Sequence, residues 1–295
     1  MTGVSVLKFP YNGHFGLEEL SGGPNALEEG GLLGLLEELG CHVAWRGEAR
    51  LSPEEEEAYG ARNRLALAGR HLASMVSEQL EEGNTPLGLL ANCNGLMGML
   101  AGHQRTKHGP RKVGLIWMDA HGDFNTPETS LSGMMGGMPV AISTGLCLHH
   151  IRRTSGLDPP ISPSHVTMVG VRDTDPWEQY LLDTHNVSQI TVDEVKRLSP
   201  AIDMEVDRLS RLTDIIYVHV DLDVLDPPEI PGAGLPVEGG PTAEELAQAL
   251  EIIFEYPAVG GFGVASYPWR RDGDKVGLRS VYKLVEGVTK GLGKR

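Results

Sequence analysis

Two short segments bring carboxylates together in a pattern that can hold metal ions. Each follows an apolar run typical of a buried strand, and the side chains concerned are Asp119, His121 and Asp123 in the first segment and Asp221 and Asp223 in the second. Alternate side chains of an extended strand point the same way, so each segment aims its set at one point. Four carboxylates in close contact repel one another unless cations lie between them. The spacing therefore predicts a pair of divalent metal ions held by bridging aspartates.

Strand-like and helix-like segments that could position these side chains alternate along the chain. The predicted strands are Val4–Phe9, Cys41–Trp45, Leu87–Ala91, Val113–Met118, Val166–Val171, Ser188–Thr191, Ile215–Val220 and Val259–Ala265. The predicted helices are Gly23–Leu39, Pro53–Leu80, Leu96–Gln104, Trp177–Asp183, Pro200–Leu209, Thr242–Phe254 and Leu278–Lys290. This order predicts a single α/β domain over residues 1–295 with a parallel sheet covered on both faces, although it is also typical of a (βα)8 barrel. In doubly wound sheets, sites form beyond the carboxyl ends of the strands, where both acidic segments lie.

The composition excludes several classes of partner. The chain has 295 residues, 40% of them hydrophobic, with a formal net charge of −15. Nucleic acids and anionic membranes both need a basic surface, so neither is expected as a partner. No apolar stretch approaches the roughly 20 residues of a membrane span, and no secretory signal is visible. Three widely spaced cysteines do not suggest a disulfide framework, so we expect a cytoplasmic protein.

Six motifs, in this order, resemble those of the ureohydrolases, the family of arginase, agmatinase and formiminoglutamase. They lie at residues 21–27, 119–127, 132–139, 170–176, 221–227 and 239–242. The resemblance runs nearly end to end. It implies a doubly wound, three-layer α/β sandwich with an eight-stranded, mainly parallel sheet. It also implies hydrolysis of a C–N bond in a guanidino or related amidino group of a small amino-acid substrate. Members are often trimers or hexamers, so a homo-oligomer is an open expectation.

The resemblance also implies a role for each residue of a dimanganese site. Asp119 and Asp221 match the bridging ligands, Asp123 matches a ligand of one metal, and His121 and Asp223 match ligands of the other. Carboxylate-rich ligation suits Mn2+. Two such ions can share a hydroxide and polarise the group that it attacks. The arginase positions that hold the α-carboxylate and α-amino groups of the substrate are matched by Asn125, Ser132 and Asp175.

Three positions depart from the family pattern. Cys93 occupies the place of a metal-ligand histidine, Gly136 that of the acid/base histidine of arginases, and Ala265 that of a glutamate that pairs with the guanidinium. A thiolate can bind a divalent metal, although sulfur is softer than Mn2+ prefers and leaves other divalent metals open. The alternative is a buried, inert cysteine in a site that has lost one ligand. A guanidinium without its charge partner is costly to bury, so we expect ordinary arginine to react poorly.

Three other side chains are candidates for the missing acid/base role. Asp123 could donate the proton to the leaving amine, as could water. Glu128 follows the first metal motif on a loop, where it could replace the acid in part or simply face solvent. His219 lies on the same side of its strand as Asp221, where it could orient that ligand or be a core histidine with one hydrogen bond.

The departures make the chain similar to the Nω-hydroxy-L-arginine hydrolases of antibiotic biosynthesis, as in the D-cycloserine pathway. That branch also has cysteine for the first histidine ligand and lacks the acid/base histidine. N-hydroxylation makes a guanidine less basic, so a larger fraction of it is neutral and does not need a carboxylate partner. The expected reaction converts Nω-hydroxy-L-arginine to ornithine and hydroxyurea. The alternatives are an arginase, a formiminoglutamase-like amidine hydrolase, and a degenerate, non-catalytic member of the family.

Overall fold

The computed structural model describes residues 3–13 and 18–295, with side chains in the second range described from residue 20. Its centre is one sheet of eight strands: β1 (Gly3–Phe9), β2 (His42–Glu48), β3 (Thr85–Leu90), β4 (Val113–Met118), β5 (Val166–Val169), β6 (Ser188–Ile190), β7 (Ile215–Asp221) and β8 (Val259–Ala265). The order is β2-β1-β3-β8-β7-β4-β5-β6, and every pairing is parallel. Since β2 and β6 are edges, the sheet is open, and the predicted sandwich is confirmed over the barrel.

Helices cover both faces of this sheet. They are α1 (Glu18–Ser21), α2 (Gly23–Glu29), α3 (Leu32–Glu38), α4 (Pro53–Glu56), α5 (Ala61–Glu81), α6 (Leu96–Gln104), α7 (Pro139–Ser143), α8 (His149–Thr154), α9 (Pro176–Thr184), α10 (Val192–Lys196), α11 (Ala201–Leu212), α12 (Ala243–Phe254) and α13 (Val276–Leu292). One buried core packs α2, α3 and α10–α13 on one face, and a second packs α5–α9 on the other. Within the described part of the chain, no helix is long and apolar enough to cross a membrane.

Two predicted helices are each divided in two, and one predicted strand ends two residues early, in each case at a glycine; most other predicted ends differ by one to three residues. The predicted helix Gly23–Leu39 breaks into α2 and α3 because Gly31 adopts a φ of 108°. The predicted helix Pro53–Leu80 breaks into α4 and α5 at Gly60, which has a φ of 90°. The predicted strand Val166–Val171 ends at Val169, since Gly170 has a φ of 80°. These positive φ angles suit glycine and interrupt regular structure.

Candidate metal centre

The two acidic segments meet at the carboxyl ends of neighbouring strands. In the register of β4 and β7, Met118 pairs with Val220, so Asp119 and Asp221 are the next residues along each strand. Both carboxylates are buried, with 2% and 4% of their surface exposed. Parallel pairing is what aligns these ends, because it places all carboxyl termini at one edge of the sheet.

One group of potential ligands comprises Cys93, Asp119 and Asp123, whose donor atoms all lie within 4.8 Å of one another. Cys93 begins a short 3-10 helix that follows β3. Its thiol donates to Oδ2 of Asp221 at 2.8 Å and lies 3.6 Å from Oδ2 of Asp119. The structure therefore places Cys93 among the predicted ligands, within reach of a metal that they hold.

A second group comprises Asp119, His121 and Asp223, again with donor atoms within 4.8 Å of one another. Nδ1 of His121 lies 3.2 Å from Oδ1 of Asp119 and 3.3 Å from Oδ2 of Asp223. Asp119 belongs to both groups, and Oδ2 of Asp221 adjoins the first group through Cys93. Two adjacent sites that share a carboxylate fit a pair of metal ions.

The backbone fixes the orientation of these carboxylates by the same device in both segments. Oδ1 of Asp119 accepts a hydrogen bond from the N–H of His121 at 2.7 Å, and Oδ1 of Asp221 accepts one from the N–H of Asp223 at 3.0 Å. Oδ1 of Asp223 is within 3.3 Å of the N–H of Ala120, which joins the two segments. Each aspartate caps its own turn and is oriented before any ligand arrives.

Without cations, the charged forms of the cluster's carboxylates are unfavourable, because these groups are buried and close together. Burial, reinforced by neighbouring carboxylates, raises the pKa of Asp119 and Asp123 well above the usual range and that of Asp221 to about 7. Burial opposes the charge of His121, but hydrogen bonds to Asp119 and Asp223 outweigh it and raise its pKa to about 12. Burial, followed by the charges of Asp221, Asp119 and Asp123, raises the pKa of the Cys93 thiol. Divalent cations would favour the charged forms of these groups.

The donor set fits the two metals that the family resemblance implies. It offers four carboxylates, an imidazole and a thiol: Asp119, Asp123, Asp221, Asp223, His121 and Cys93. Carboxylate and imidazole ligands are compatible with Mn2+, and the thiol extends the choice to softer divalent metals. Asp123 has a φ of 47°, in the left-handed region that aspartate enters more readily than most side chains.

A cavity of about 530 Å³ opens over the cluster and also contains the predicted amino-acid-binding residues. Asn125, Ser132 and Asp175 all line it, so the structure brings them together with the predicted metal ligands. Nδ2 of Asn125 donates to Oδ2 of Asp175 at 3.1 Å, and the N–H of Leu131 approaches the same oxygen at 3.3 Å. These contacts fix the side chains of Asn125 and Asp175 within the cavity that the cluster also lines.

Gly136 and Ala265, which both differ from the family pattern, have different surroundings. Gly136 lines the cavity, and no heavy atom lies within 4 Å of the place where a Cβ would stand. Ala265 ends β8, is fully buried, and pairs with Leu90 on one side and Asp221 on the other. The first position has room for a side chain, whereas the second has only a methyl group beside the cluster.

Glu128 and His219 lie apart from this cavity. Glu128 is exposed and is not one of its lining residues. His219 is fully buried, stacks on Trp117 with ring centroids 4.4 Å apart, and has Nδ1 3.2 Å from the hydroxyl of Tyr217. Burial lowers its pKa to about 3, so the ring is neutral. Its Nε2 has no hydrogen-bond partner among the described residues.

Two further residues of the cavity were absent from the sequence prediction. Glu178 is the N3 residue of a capping box at the start of α9, and it accepts hydrogen bonds from the N–H groups of Phe124 at 2.8 Å and Asp175 at 3.1 Å. The spacing from Asp175 to Glu178 carried the signal for this contact. Ser266 donates to Oδ2 of Asp221 at 2.5 Å, and no local sequence pattern indicates it.

Comparisons with known proteins show the family and the fold of this chain. The profile of the arginase family matches residues 4–268. The arginase of Bacillus caldovelox is 36% identical over 79% of this chain and 80% of its own length, and that of Bacillus subtilis (strain 168) is 32% identical over 85% and 86%. A crystal structure of Bacillus subtilis arginase superposes with a TM-score of 0.85 at 30% identity, covering 98% of both chains. Formimidoylglutamase from Bacillus subtilis, at 21% identity and a TM-score of 0.76, shares the fold.

The match extends over most of the chain in sequence and nearly all of it in structure. It includes both acidic segments and every strand of the sheet. The chain therefore belongs to the arginase family, the ureohydrolases, whose members are hydrolases that act on the C–N bonds of amidines.

Proposed function

We propose that this protein hydrolyses the Nω-hydroxyguanidino group of an α-amino acid, converting Nω-hydroxy-L-arginine to ornithine and hydroxyurea. The observation that carries the proposal is a cluster of six potential metal ligands in a chain that lacks, at two positions, the groups expected for arginine hydrolysis. Gly136 offers no imidazole, and Ala265 offers no carboxylate. A decayed site would have no reason to keep six potential ligands within one buried cluster.

Two Mn2+ ions would be held by the six side chains of the cluster, namely Cys93, Asp119, His121, Asp123, Asp221 and Asp223. Bound divalent ions supply Lewis-acid activation of water and of the amidino carbon. The protein keeps the ligands in place through the backbone hydrogen bonds to Asp119 and Asp221 and excludes bulk water by burial.

The distal group of the substrate lies against this cluster, where position 265 supplies no carboxylate. An arginine guanidinium is charged at neutral pH, and in a dry cavity it would need a negative partner. An N-hydroxyguanidine is less basic, so a neutral form can enter the cavity without the carboxylate that position 265 lacks. This difference in desolvation favours the hydroxylated substrate.

The other end of the substrate is held by the polar residues across the cavity. Asn125 and Ser132 take the α-carboxylate, and Asp175 takes the α-ammonium group. The hydrogen bond from Asn125 to Asp175 fixes both side chains before the substrate arrives. With this end anchored, the amidino carbon lies over the metal cluster.

The leaving amine takes its proton from Asp123 or from water in the cavity. Oδ1 of Asp123 lies 4.0 Å from the position that a Cβ on Gly137 would occupy, so it faces the glycine segment where arginases carry their acid/base histidine. His219 is fully buried outside the cavity, where it packs on Trp117. Glu128 is too exposed to serve a dry reaction site.

Arginine itself is the second candidate substrate. It is favoured by the relatives that are 36% and 32% identical, both of which are named arginase. In that case the carboxylates already in the cavity, such as Glu178, would take the place of the missing glutamate.

The test is turnover by Mn2+-loaded protein of L-arginine and Nω-hydroxy-L-arginine, with ornithine release and metal content measured together. A higher kcat/KM for the hydroxylated substrate, with about two metal ions per chain, supports the proposal. A higher kcat/KM for arginine replaces it with the second candidate. Loaded protein that releases ornithine from neither substrate contradicts both. Asp119→Asn is the control, because it should lose metal and turnover together.

A further inference from the structure

The segment that follows β8 places a serine hydroxyl against the metal cluster. Ser266 comes directly after Ala265, lines the cavity and donates to Oδ2 of Asp221 at 2.5 Å. The thiol of Cys93 approaches the same oxygen at 2.8 Å. Ser266 is thus in contact with a predicted bridging ligand and also with the space that the substrate enters.

The backbone of Ser266 is held in an unfavourable conformation. Its φ is 66°, in the left-handed region that side chains with a Cβ avoid. A glycine would relieve this conformation, whereas the serine keeps it and keeps its hydroxyl at the cluster. Strain of this kind persists where the surrounding structure requires a side chain at that point.

Other polar side chains beside the cluster are already engaged. The amide of Asn92 accepts from the N–H of Asn94 at 3.1 Å and donates to the carbonyl oxygen of Asn12 at 3.0 Å. Glu178 accepts two backbone N–H groups. The hydroxyl of Ser266 donates a hydrogen bond to Asp221. None of the described residues donates a hydrogen bond to the oxygen of Ser266. That oxygen is therefore a free, neutral acceptor next to the predicted metal ligands.

We propose that Ser266 is a specificity-determining residue that accepts a hydrogen bond from the N-hydroxyl group of the substrate while its own O–H donates to Asp221. The inference rests on the function proposed above. An N-hydroxyguanidine carries an O–H donor that guanidine lacks, and a donor in a buried site needs an acceptor. Donation to a carboxylate polarises the serine oxygen and strengthens it as an acceptor.

The experiment measures binding of two small probes, N-hydroxyguanidine and guanidine, to Mn2+-loaded protein by titration calorimetry. The variants are Ser266→Gly, which removes the hydroxyl and relieves the backbone, and Ser266→Ala, which removes the hydroxyl alone. Ser164→Gly, at an exposed serine, is the control. Metal content and thermal unfolding are recorded for each protein, so that loss of metal is not mistaken for loss of recognition.

The wild type should bind N-hydroxyguanidine more tightly than guanidine. Both Ser266 variants should lose about three- to tenfold of affinity for N-hydroxyguanidine and keep that for guanidine within twofold. The inference is overturned if the wild type does not prefer N-hydroxyguanidine to guanidine. It is also overturned if the Ser266 variants keep that preference. If the Ser266-dependent preference is found but Nω-hydroxy-L-arginine is not turned over, the proposed function fails and the recognition by Ser266 stands.

Discussion

The sulfur of Cys93 lies 2.8 Å from Oδ2 of Asp221, although 128 residues separate them in the chain. Cys93 follows β3 and Asp221 ends β7, and β8 runs between these strands. Ala265 at the end of β8 pairs with both neighbours. Because its side chain is only a methyl group, the two flanking side chains meet across it. The small side chain at 265 and the contact of Cys93 with the cluster are therefore parts of one arrangement.

Cys93 should contribute a ligand to one of the two metal ions. Cys93→Ala should lower the metal content of purified protein from about two ions per chain towards one, since a site that loses a ligand binds its metal more weakly. Co2+-loaded wild type should show a sulfur-to-cobalt charge-transfer band in the near ultraviolet, and the variant should lack it. Cys147→Ala is the matched control, because Cys147 is also buried but lies outside the cluster. An unchanged band in Cys93→Ala would show that the thiol is not a ligand.

Arg172 should stabilise the loop that carries Asp223. Its guanidinium donates to carbonyl oxygens of the segments that follow β5 and β7 and of the loop at 237–238, and these acceptors belong to Gly170, Asp223, Val224, Leu225, Val237 and Glu238. Arg172→Lys cannot reproduce this fork of donors, so we expect a loss of about 2–4 kcal/mol in the free energy of unfolding. Urea unfolding measures it. Arg197→Lys, at an exposed ion pair with Asp193, should change it by less than about 0.5 kcal/mol. Equal effects of the two changes would refute this role.

The capping box of α4 should make stability depend on pH below about 5. Glu55 accepts from the N–H of Ser52 at 2.9 Å and from His71, and the first of these contacts contributes most to lowering its pKa from 4.5 to about 2. A depressed folded-state pKa gives stability that is present above the unfolded pKa and is lost as pH falls towards 2. Glu55→Gln should therefore be less stable than wild type by about 1 kcal/mol at pH 6, and the gap should narrow between pH 4.5 and 2. Thermal unfolding of metal-free protein at each pH measures it, and a gap that widens in acid would contradict the assignment.

The substitution Gly136→His, which places an imidazole at the cavity, should raise turnover. Gly136 has no heavy atom within 4 Å of a would-be Cβ and no positive φ, so histidine fits there without backbone strain. General acid–base catalysis typically contributes 10²–10⁴-fold, and an imperfectly placed group should give at least about tenfold in kcat on the preferred substrate. The rate should also gain a pH dependence near the ordinary pKa of histidine.

Gly234→His is the matched control for that variant. Gly234 also lines the cavity, has open space for a Cβ and has no positive φ, so it tests the effect of an imidazole that is merely nearby. Steady-state rates from pH 5 to 9 compare the two. If both variants show the same rates and pH dependence, a histidine at position 136 does not act as the acid/base group.

The sequence predicted every strand of the sheet within a few residues, together with the long helices that cover it. Such elements follow from local periodicity, which a single sequence carries. The breaks at Gly31 and Gly60 were missed because glycine within an apolar helical pattern is tolerated in many helices, and only the fold requires a positive φ there.

The acidic segments themselves determined that carboxylates and a histidine would converge at strand ends, because side-chain direction along a strand alternates by residue. Only the tertiary structure decided between an open sheet and a barrel, brought Cys93 to Asp221 across β8, and turned Ser266 into a left-handed conformation at the cluster. These features depend on strand order and on contacts between residues far apart in the chain. No local pattern encodes them, since their energies come from packing and pairing that exist only when the sheet is complete.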